Sequence, residues 1–285
     1  MNKKLICAAA VGTAFALAGV NNKIGLTDYT VETDKLSSAV RMAFLSDLHS
    51  QRFKDSGKKL FGVIDRARPE CILLGGDIFD KYASDYEYET TYELLRNLVL
   101  RYGECYFVTG NHEFESGRFE TIKSNLENIG VKVVGDKIYE FTSHSGERIL
   151  IGGTDIGAFG EDVVLSQKER FSHEAAESGL LSILLRHVPM SADGDEDFDL
   201  ILSGHNHGGL WRLPHTDFGA AGGGKKLFPK YVHGQYDSHG AVMLVGSGIT
   251  TKTYLLPRLY NPPEVIGLTL RPRRKINLTE VDYEQ

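Results

Sequence analysis

Short apolar runs and amphipathic stretches alternate through the first half of the chain. Val40–Leu45 (V-R-M-A-F-L), Cys71–Leu74 and residues 105–108 are apolar runs closed by turn residues, the pattern of buried strands. Between the first two, residues 58–68 carry Leu60, Phe61, Val63, Ile64 and Ala67 at helical spacing, and Pro69 stops the helix. Residues 86–102 repeat the pattern with Leu94, Leu95, Leu98 and Val99. Residues 116–129 predict a third helix, with Gly130 placed to terminate it. Residues 21–40 alternate weakly and predict a leading strand. Strand, loop, helix, strand in this order predicts parallel strands joined by crossover helices.

The texture changes after Val131. Residues 131–134, 137–141 and 148–151 are short strand-like runs separated by Gly135-Asp136 and Ser145-Gly146, which predicts antiparallel pairing. Residues 157–161 read as a loop and residues 169–179 as a helix. Residues 180–185 form an apolar strand leading into Arg186-His187-Val188-Pro189. Residues 193–199 are acidic and read as a solvated turn. Residues 200–209 run L-I-L-S-G-H-N-H-G-G, a strand opening into two histidines one residue apart. Residues 219–224 (G-A-A-G-G-G) read as a mobile loop, and residues 241–245 and 264–270 as closing strands. There is no internal repeat and no linker after residue 22, so residues 23–285 are expected to form one α/β domain.

Charge and composition narrow the partners. A formal net charge of −6 argues against a nucleic-acid partner, which needs a basic patch. Three cysteines without C-x-x-C spacing give neither a disulfide framework nor a thiolate zinc site; Cys71 and Cys105 read as small buried hydrophobes. Asn2-Lys3-Lys4 precedes an uncharged run over residues 5–20 that contains Ala16-Leu17-Ala18. This predicts a signal peptide or membrane anchor over residues 1–22, hence a protein exported or anchored on the extracytoplasmic side, with membrane association.

The chemistry-bearing residues follow the strands: Asp47-x-His49; Gly76-Asp77-x-x-Asp80; Gly110-Asn111-His112-Glu113; His187; and Gly204-His205-Asn206-His207. In open α/β sheets functional loops gather at the carboxyl ends of strands, so these residues are expected at one site. Five such motifs in this order over residues 40–209 resemble the calcineurin-like metallophosphoesterases. Gly246-Ser247-Gly248-Ile249 with Pro262-Pro263-Glu264 resembles a bacterial branch of exported or membrane-associated phosphodiesterases, some assigned to a UDP-diacylglucosamine pyrophosphate. The resemblance implies a two-sheet β-sandwich core flanked by helices, in four layers α/β/β/α.

It also implies two divalent metal ions, with Mn, Fe or Zn all compatible with Asp, His and Asn ligands. Asp47, His49 and His207 would hold one, Asn111, His187 and His205 the other, and Asp77 would bridge them. An anionic bridge offsets the repulsion of two ions roughly 3.5–4 Å apart. The implied reaction is metal-dependent phosphoester hydrolysis, with a metal-bridged hydroxide attacking phosphorus in line. His112 would stabilise the transition state or protonate the leaving oxygen. Asp80 or Glu113 could orient its neighbours, and Glu113 could equally be a helix N-terminal carboxylate.

The expected substrate is a small-molecule or lipid-linked phosphodiester or pyrophosphate, such as a UDP-sugar lipid precursor. A phosphomonoesterase of the same fold is the alternative; a non-catalytic scaffold would be expected to have lost ligands. Arg52 and Arg186 flank ligand residues and could meet a phosphate or be solvated. Trp211, Phe218, Phe228 and Tyr231 could line an apolar pocket or pack in the core. His144, His173, His215, His233 and His239 match no motif and read as surface or loop residues.

Overall fold

The computed structural model describes residues 19–273 except 215, 217, 224, 225 and 252–256. The predicted segment 1–22 thus lies almost wholly outside the described residues.

Two six-stranded mixed sheets face each other. The first has the order β1-β12-β2-β3-β4-β5, with β1 at Gly25–Thr33, β2 at Val40–Leu45, β3 at Cys71–Leu74, β4 at Glu104–Phe107, β5 at Val131–Val133 and β12 at Glu264–Pro272. The second has the order β10-β11-β9-β8-β7-β6, with β6 at Tyr139–Thr142, β7 at Arg148–Thr154, β8 at Leu181–Arg186, β9 at Leu200–Ser203, β10 at Gly234–Ser238 and β11 at Ala241–Val245. Strands β2 to β5 run parallel, as do β7, β8, β9 and β11.

Side-chain alternation along each strand builds the layers. One face of the first sheet (Ala43, Leu45, Ile72, Leu74, Phe107) packs on helices α1 (Lys58–Ala67), α2 (Asp85–Tyr102) and α4 (Phe119–Asn128). The opposite face (Met42, Phe44, Leu73, Tyr106) meets Ile151, Ile183, Leu185 and Leu202 of the second sheet. The outer face of that sheet, with Leu184, Ile201 and Met243, packs on Phe171 and Ala175 of α5 (Glu161–Ser178). The layers are therefore α/β/β/α, and Cys71 and Cys105 are buried free thiols within them.

Local signals place the helices. α2 starts at Ser84, whose hydroxyl accepts from Glu87 N while the Glu87 carboxylate accepts from Ser84 N. α1 stops at Arg68, left-handed at φ 50°, because Pro69 disfavours a helical residue before it.

Several expectations need correction. Residues 131–133 pair in parallel with β4, because α4 is a crossover helix; only β6 and β7 form an antiparallel pair there. α5 begins eight residues before the expected residue 169, since it buries only the narrow stripe Gln167, Phe171 and Ala175 and leaves Val163 and Leu165 exposed. A five-residue helix, α3 (Asn111–Glu115), precedes α4. The edge strand β10 (G-Q-Y-D-S) was not expected, being polar and held by antiparallel pairing to β11.

The acidic stretch 193–199 is not simply solvated. Asp195 is buried and accepts from both terminal nitrogens of Arg186 at 3.0 Å, from Lys168 Nζ at 2.8 Å and from Ser238 Oγ at 2.6 Å. Arg186 is thus a structural cation, neither solvated nor a phosphate contact. Burial opposes charge on Asp195, but these partners outweigh it and lower its pKa to about 2. A depressed folded-state pKa gives stability that is present above the ordinary carboxylate range and lost as pH falls towards 2. Asp195→Asn is expected to destabilise the fold by about 3–5 kcal/mol, because it leaves a buried guanidinium without its charge partner. Urea unfolding followed by circular dichroism checks this; a midpoint equal to wild type would contradict it.

Candidate metal centre

The carboxyl ends of β2, β3 and β4 in one sheet and of β8 and β9 in the other meet at one edge of the sandwich. The chain must turn sharply there to aim its side chains at a shared point. Asp47, His49, Asp77, His205 and His207 all adopt positive φ, between 47° and 70°. Each such non-glycine residue costs about 1–2 kcal/mol, and strain of this kind collects at functional sites.

Three groups of side chains bring ligand-type atoms within 4.8 Å of one another: Asp47 with His49 and His207; His49 with Asp77 and His112; Asp77 with His187 and His205. His49 Nε2 lies 3.2 Å from His207 Nε2, and His207 Nε2 lies 3.6 Å from Asp47 Oδ1. On the other side, His205 Nδ1 is 3.3 Å from His187 Nε2. Asp77 Oδ2 stands between the two groups, 3.7 Å from His49 Nε2 and 3.2 Å from His187 Nε2. Donors bound at about 2.1 Å to one ion lie roughly 3.0–3.4 Å apart at angles of 90–110°, close to these spacings.

The electrostatics fit a cation. Burial lowers the pKa of His49 and of His205 to about 4, and that of His207 well below the imidazole range, so all three stay neutral, the form in which an imidazole binds an ion. Burial raises Asp47 to about 6. Burial also opposes charge on Asp77 and His187, but their mutual attraction wins, holding Asp77 well below the carboxylate range and lifting His187 to about 10. His187 Nδ1 sits 2.7 Å from the Gly75 carbonyl, which fixes a proton on that nitrogen and turns Nε2 inward. Asn111 Oδ1 is buried with no hydrogen-bond partner, and its neighbours Gly110 and His112 both touch Asp77. A buried amide oxygen left this way suits a cation.

Residues 40–209 match the family described as calcineurin-like phosphoesterase. The chain belongs to this family. Calcineurin-like phosphoesterases use two divalent metals, and the clusters around Asp77 offer donors for them. The chain is 28% identical over 253 residues to an uncharacterized metallophosphoesterase of Helicobacter pylori (strain J99), covering 85% of this chain and 62% of that relative, so it spans less than two thirds of the relative's length. It is 26% identical over 259 residues to the uncharacterized metallophosphoesterase YkuE of Bacillus subtilis (87% and 86% covered). It is 27% identical over 187 residues to the phosphodiesterase YaeI of Escherichia coli (61% and 63%). Among solved structures, TT1561 of Thermus thermophilus aligns with TM-score 0.48 at 12% identity, covering 75% of this chain and 92% of that one.

His112 borders the ligand groups, its ring centroid 4.3 Å from that of His49. His112 N donates to Asp77 Oδ1 at 2.8 Å, and Asp80 Oδ1 lies 3.2 Å from His112 Nδ1. Burial lowers the His112 pKa, but the hydrogen bond to Asp80 and the charge of Asp77 outweigh it and the net direction is up. That favours a protonated ring. Asp80 therefore orients His112, one of the two roles the motifs left open.

Glu113 does more than sit at a helix N-terminus. Its buried carboxylate accepts from Gly110 N (2.9 Å), Asp77 N (3.0 Å) and Phe79 N (2.9 Å), tying the loop after β4 to the loop after β3. Gly110 lacks a side chain because a Cβ there would strike Asp77.

Other residues at the site were singled out only by the branch resemblance or, like Arg258, carried no sequence signal. The loop 246–250 covers Asp47 through Ile249 N to Ser46 O and Thr250 N to Asp47 O, both 2.9 Å, and Glu264 Oε1 accepts from Ser247 N at 2.8 Å. These are the G-S-G-I and P-P-E residues of the branch resemblance. Arg258 is buried behind them, with one nitrogen on Ser247 O (2.7 Å) and the other 3.5 Å from His207 Nδ1. Arg52 instead lies over the Tyr86 ring, 5.0 Å from its centroid. His144, His173 and His239 are exposed, His233 pairs with Glu264 at 3.1 Å, and His215 lies outside the described residues.

Proposed function

We propose that the chain hydrolyses a phosphodiester or pyrophosphate bond, with Asp47, His49 and His207 at one ion, Asn111, His187 and His205 at a second, and Asp77 shared. The observation that carries this reading is the position of the Asp77 carboxylate between His49 and His187. Bound there, divalent ions would supply Lewis acidity towards phosphate oxygens and a water that ionises near neutral pH.

The side chains around the ions do the rest. His112, held by Asp80 with its pKa raised, donates a proton to the leaving oxygen. Glu113 keeps the Asp77 and Asn111 loops in register, and Arg258 backs His207. The phosphodiesterase name of the Escherichia coli relative supports the diester class. The uncharged run over residues 5–20 supports an exported or membrane-anchored enzyme, and with it a lipid-linked or UDP-sugar lipid precursor as substrate.

A screen of metal-reconstituted protein tests this. Phosphodiesters and nucleotide-sugar pyrophosphates are expected to turn over faster than phosphomonoesters. Turnover of monoesters alone would contradict the bond type.

A further inference from the structure

Trp211, Phe218 and Phe228 do not pack in the core. Together with Leu213 and Leu227 they stand 40–69% exposed, and they fall within one stretch of the chain between the last ligand loop and β10. They form a continuous platform. Ala220 N donates to Trp211 O at 2.9 Å, Phe228 N to Ala220 O at 3.2 Å and Leu213 N to Phe218 O at 3.1 Å, and the Phe218 and Phe228 rings stack at 5.4 Å. The stretch read as a mobile glycine loop is part of it, where described: Gly222 N bonds Lys226 O and Gly223 N bonds Asn206 Oδ1. A Cβ on Gly223 would strike the His205 ring, so the platform forms the rim of the metal centre. Phe228 is exposed even though its φ is +49°, a strained value for a bulky residue. Contiguous exposed apolar patches mark an interaction surface.

Two further observations say what covers it. The segment is basic in an acidic chain: residues 210–231 hold Arg212, Lys225, Lys226 and Lys230 against the single acid Asp217, while the whole chain carries −6. Lys226 and Lys230 are exposed, and with Asn206 and Tyr231 they border an open cavity of about 430 Å³ beside the ligand loop. The second is where the apolar N-terminal run leaves the domain. Gly19 O accepts from Tyr260 N at 2.7 Å, and the neighbouring Leu259 pairs with Trp211. The uncharged run of residues 5–20 therefore joins the described fold at the platform's edge. Among the described residues no helix is long and apolar enough to cross a membrane.

We propose that the platform formed by Trp211, Leu213, Phe218, Leu227 and Phe228, with Lys226 and Lys230, docks on a lipid bilayer bearing anionic headgroups and so holds the metal centre against the membrane surface. Aromatic and aliphatic side chains enter the headgroup boundary while lysines meet anionic lipid, each worth about 1 kcal/mol near the surface. This extends the reading of a lipid-linked substrate without depending on it.

Trp211 is the single tryptophan in the chain, so its fluorescence reports on the platform directly. The full chain is mixed with vesicles of equal parts phosphatidylcholine and phosphatidylglycerol, part of the phosphatidylcholine being brominated. Trp211 emission is expected to shift to the blue and to be quenched, and to change far less with phosphatidylcholine alone. Lys226→Glu with Lys230→Glu keeps the N-terminal run and is expected to weaken this docking roughly tenfold or more. Emission unchanged by the mixed vesicles, or equal quenching in the double variant, would overturn the proposal. So would emission already blue and shielded from acrylamide in buffer, which would place a second copy or residues 5–18 over the platform. Wild-type hydrolysis of a soluble bis-aryl phosphodiester is read in parallel, so a failure of the phosphoesterase reading shows separately from a failure of docking.

Discussion

Asp77→Ala is expected to remove metal binding and hydrolysis together. Asp77 Oδ2 faces a histidine from each sheet, and its pairing with His187 holds the carboxyl ionised despite burial. Removing it leaves Asp47, His49 and His207 on one side and Asn111, His187 and His205 on the other with no shared anion between two cations, whose repulsion then has nothing at the bridge to offset it. Losing a partner that only orients a ligand already costs roughly 10–100-fold in metal affinity, so losing the shared carboxylate is expected to cost more. Asp77→Asn separates charge from shape, because an amide oxygen can still accept from His112 N. Elemental analysis and hydrolysis of a bis-aryl phosphodiester check both variants. Retention of two ions per chain in Asp77→Ala would contradict the shared-ligand role.

His112→Ala is expected to do something different: a fall in kcat of ~10²–10⁴ with metal content near wild type. The geometry makes this a sharp test, since His112 falls within the same 4.8 Å grouping as His49 and Asp77 and could in principle be a ligand. Its Nδ1 is engaged by the Asp80 carboxylate at 3.2 Å, which makes it an oriented acid beside the ligand groups. Loss of an ion in His112→Ala would move it into the ligand set and remove it as proton donor.

The parallel strands, their helices and the strand-end residues were legible because each depends on local pattern. Buried parallel strands are near-continuous apolar runs, as in C-I-L-L and the L-I-L of residues 200–202, and the polar residues that follow stand out against them. What was not legible depends on contacts distant in sequence. Asp195 lies in an acidic run that looks solvated, and only the fold brings Arg186, Lys168 and Ser238 to it. Arg258 sits among prolines with no spacing that points to His207. Glu113 joins two loops through backbone donors, which no side-chain pattern records. β10 and the start of α5 escaped because an edge strand and a half-exposed helix bury too few side chains to imprint a period.

The same limit applies to the aromatics after the last ligand loop. Sequence left them between a pocket and the core, whereas the structure exposes Trp211, Phe218 and Phe228 beside the metal centre.

The measurement closest to the central claim is hydrolysis of a bis-aryl phosphodiester by metal-stripped protein during titration with Mn²⁺. A shared Asp77 predicts no turnover without metal and activity that rises to its plateau as the second ion per chain binds. Full turnover by the stripped protein, or a plateau reached with one ion bound, would contradict a two-metal centre.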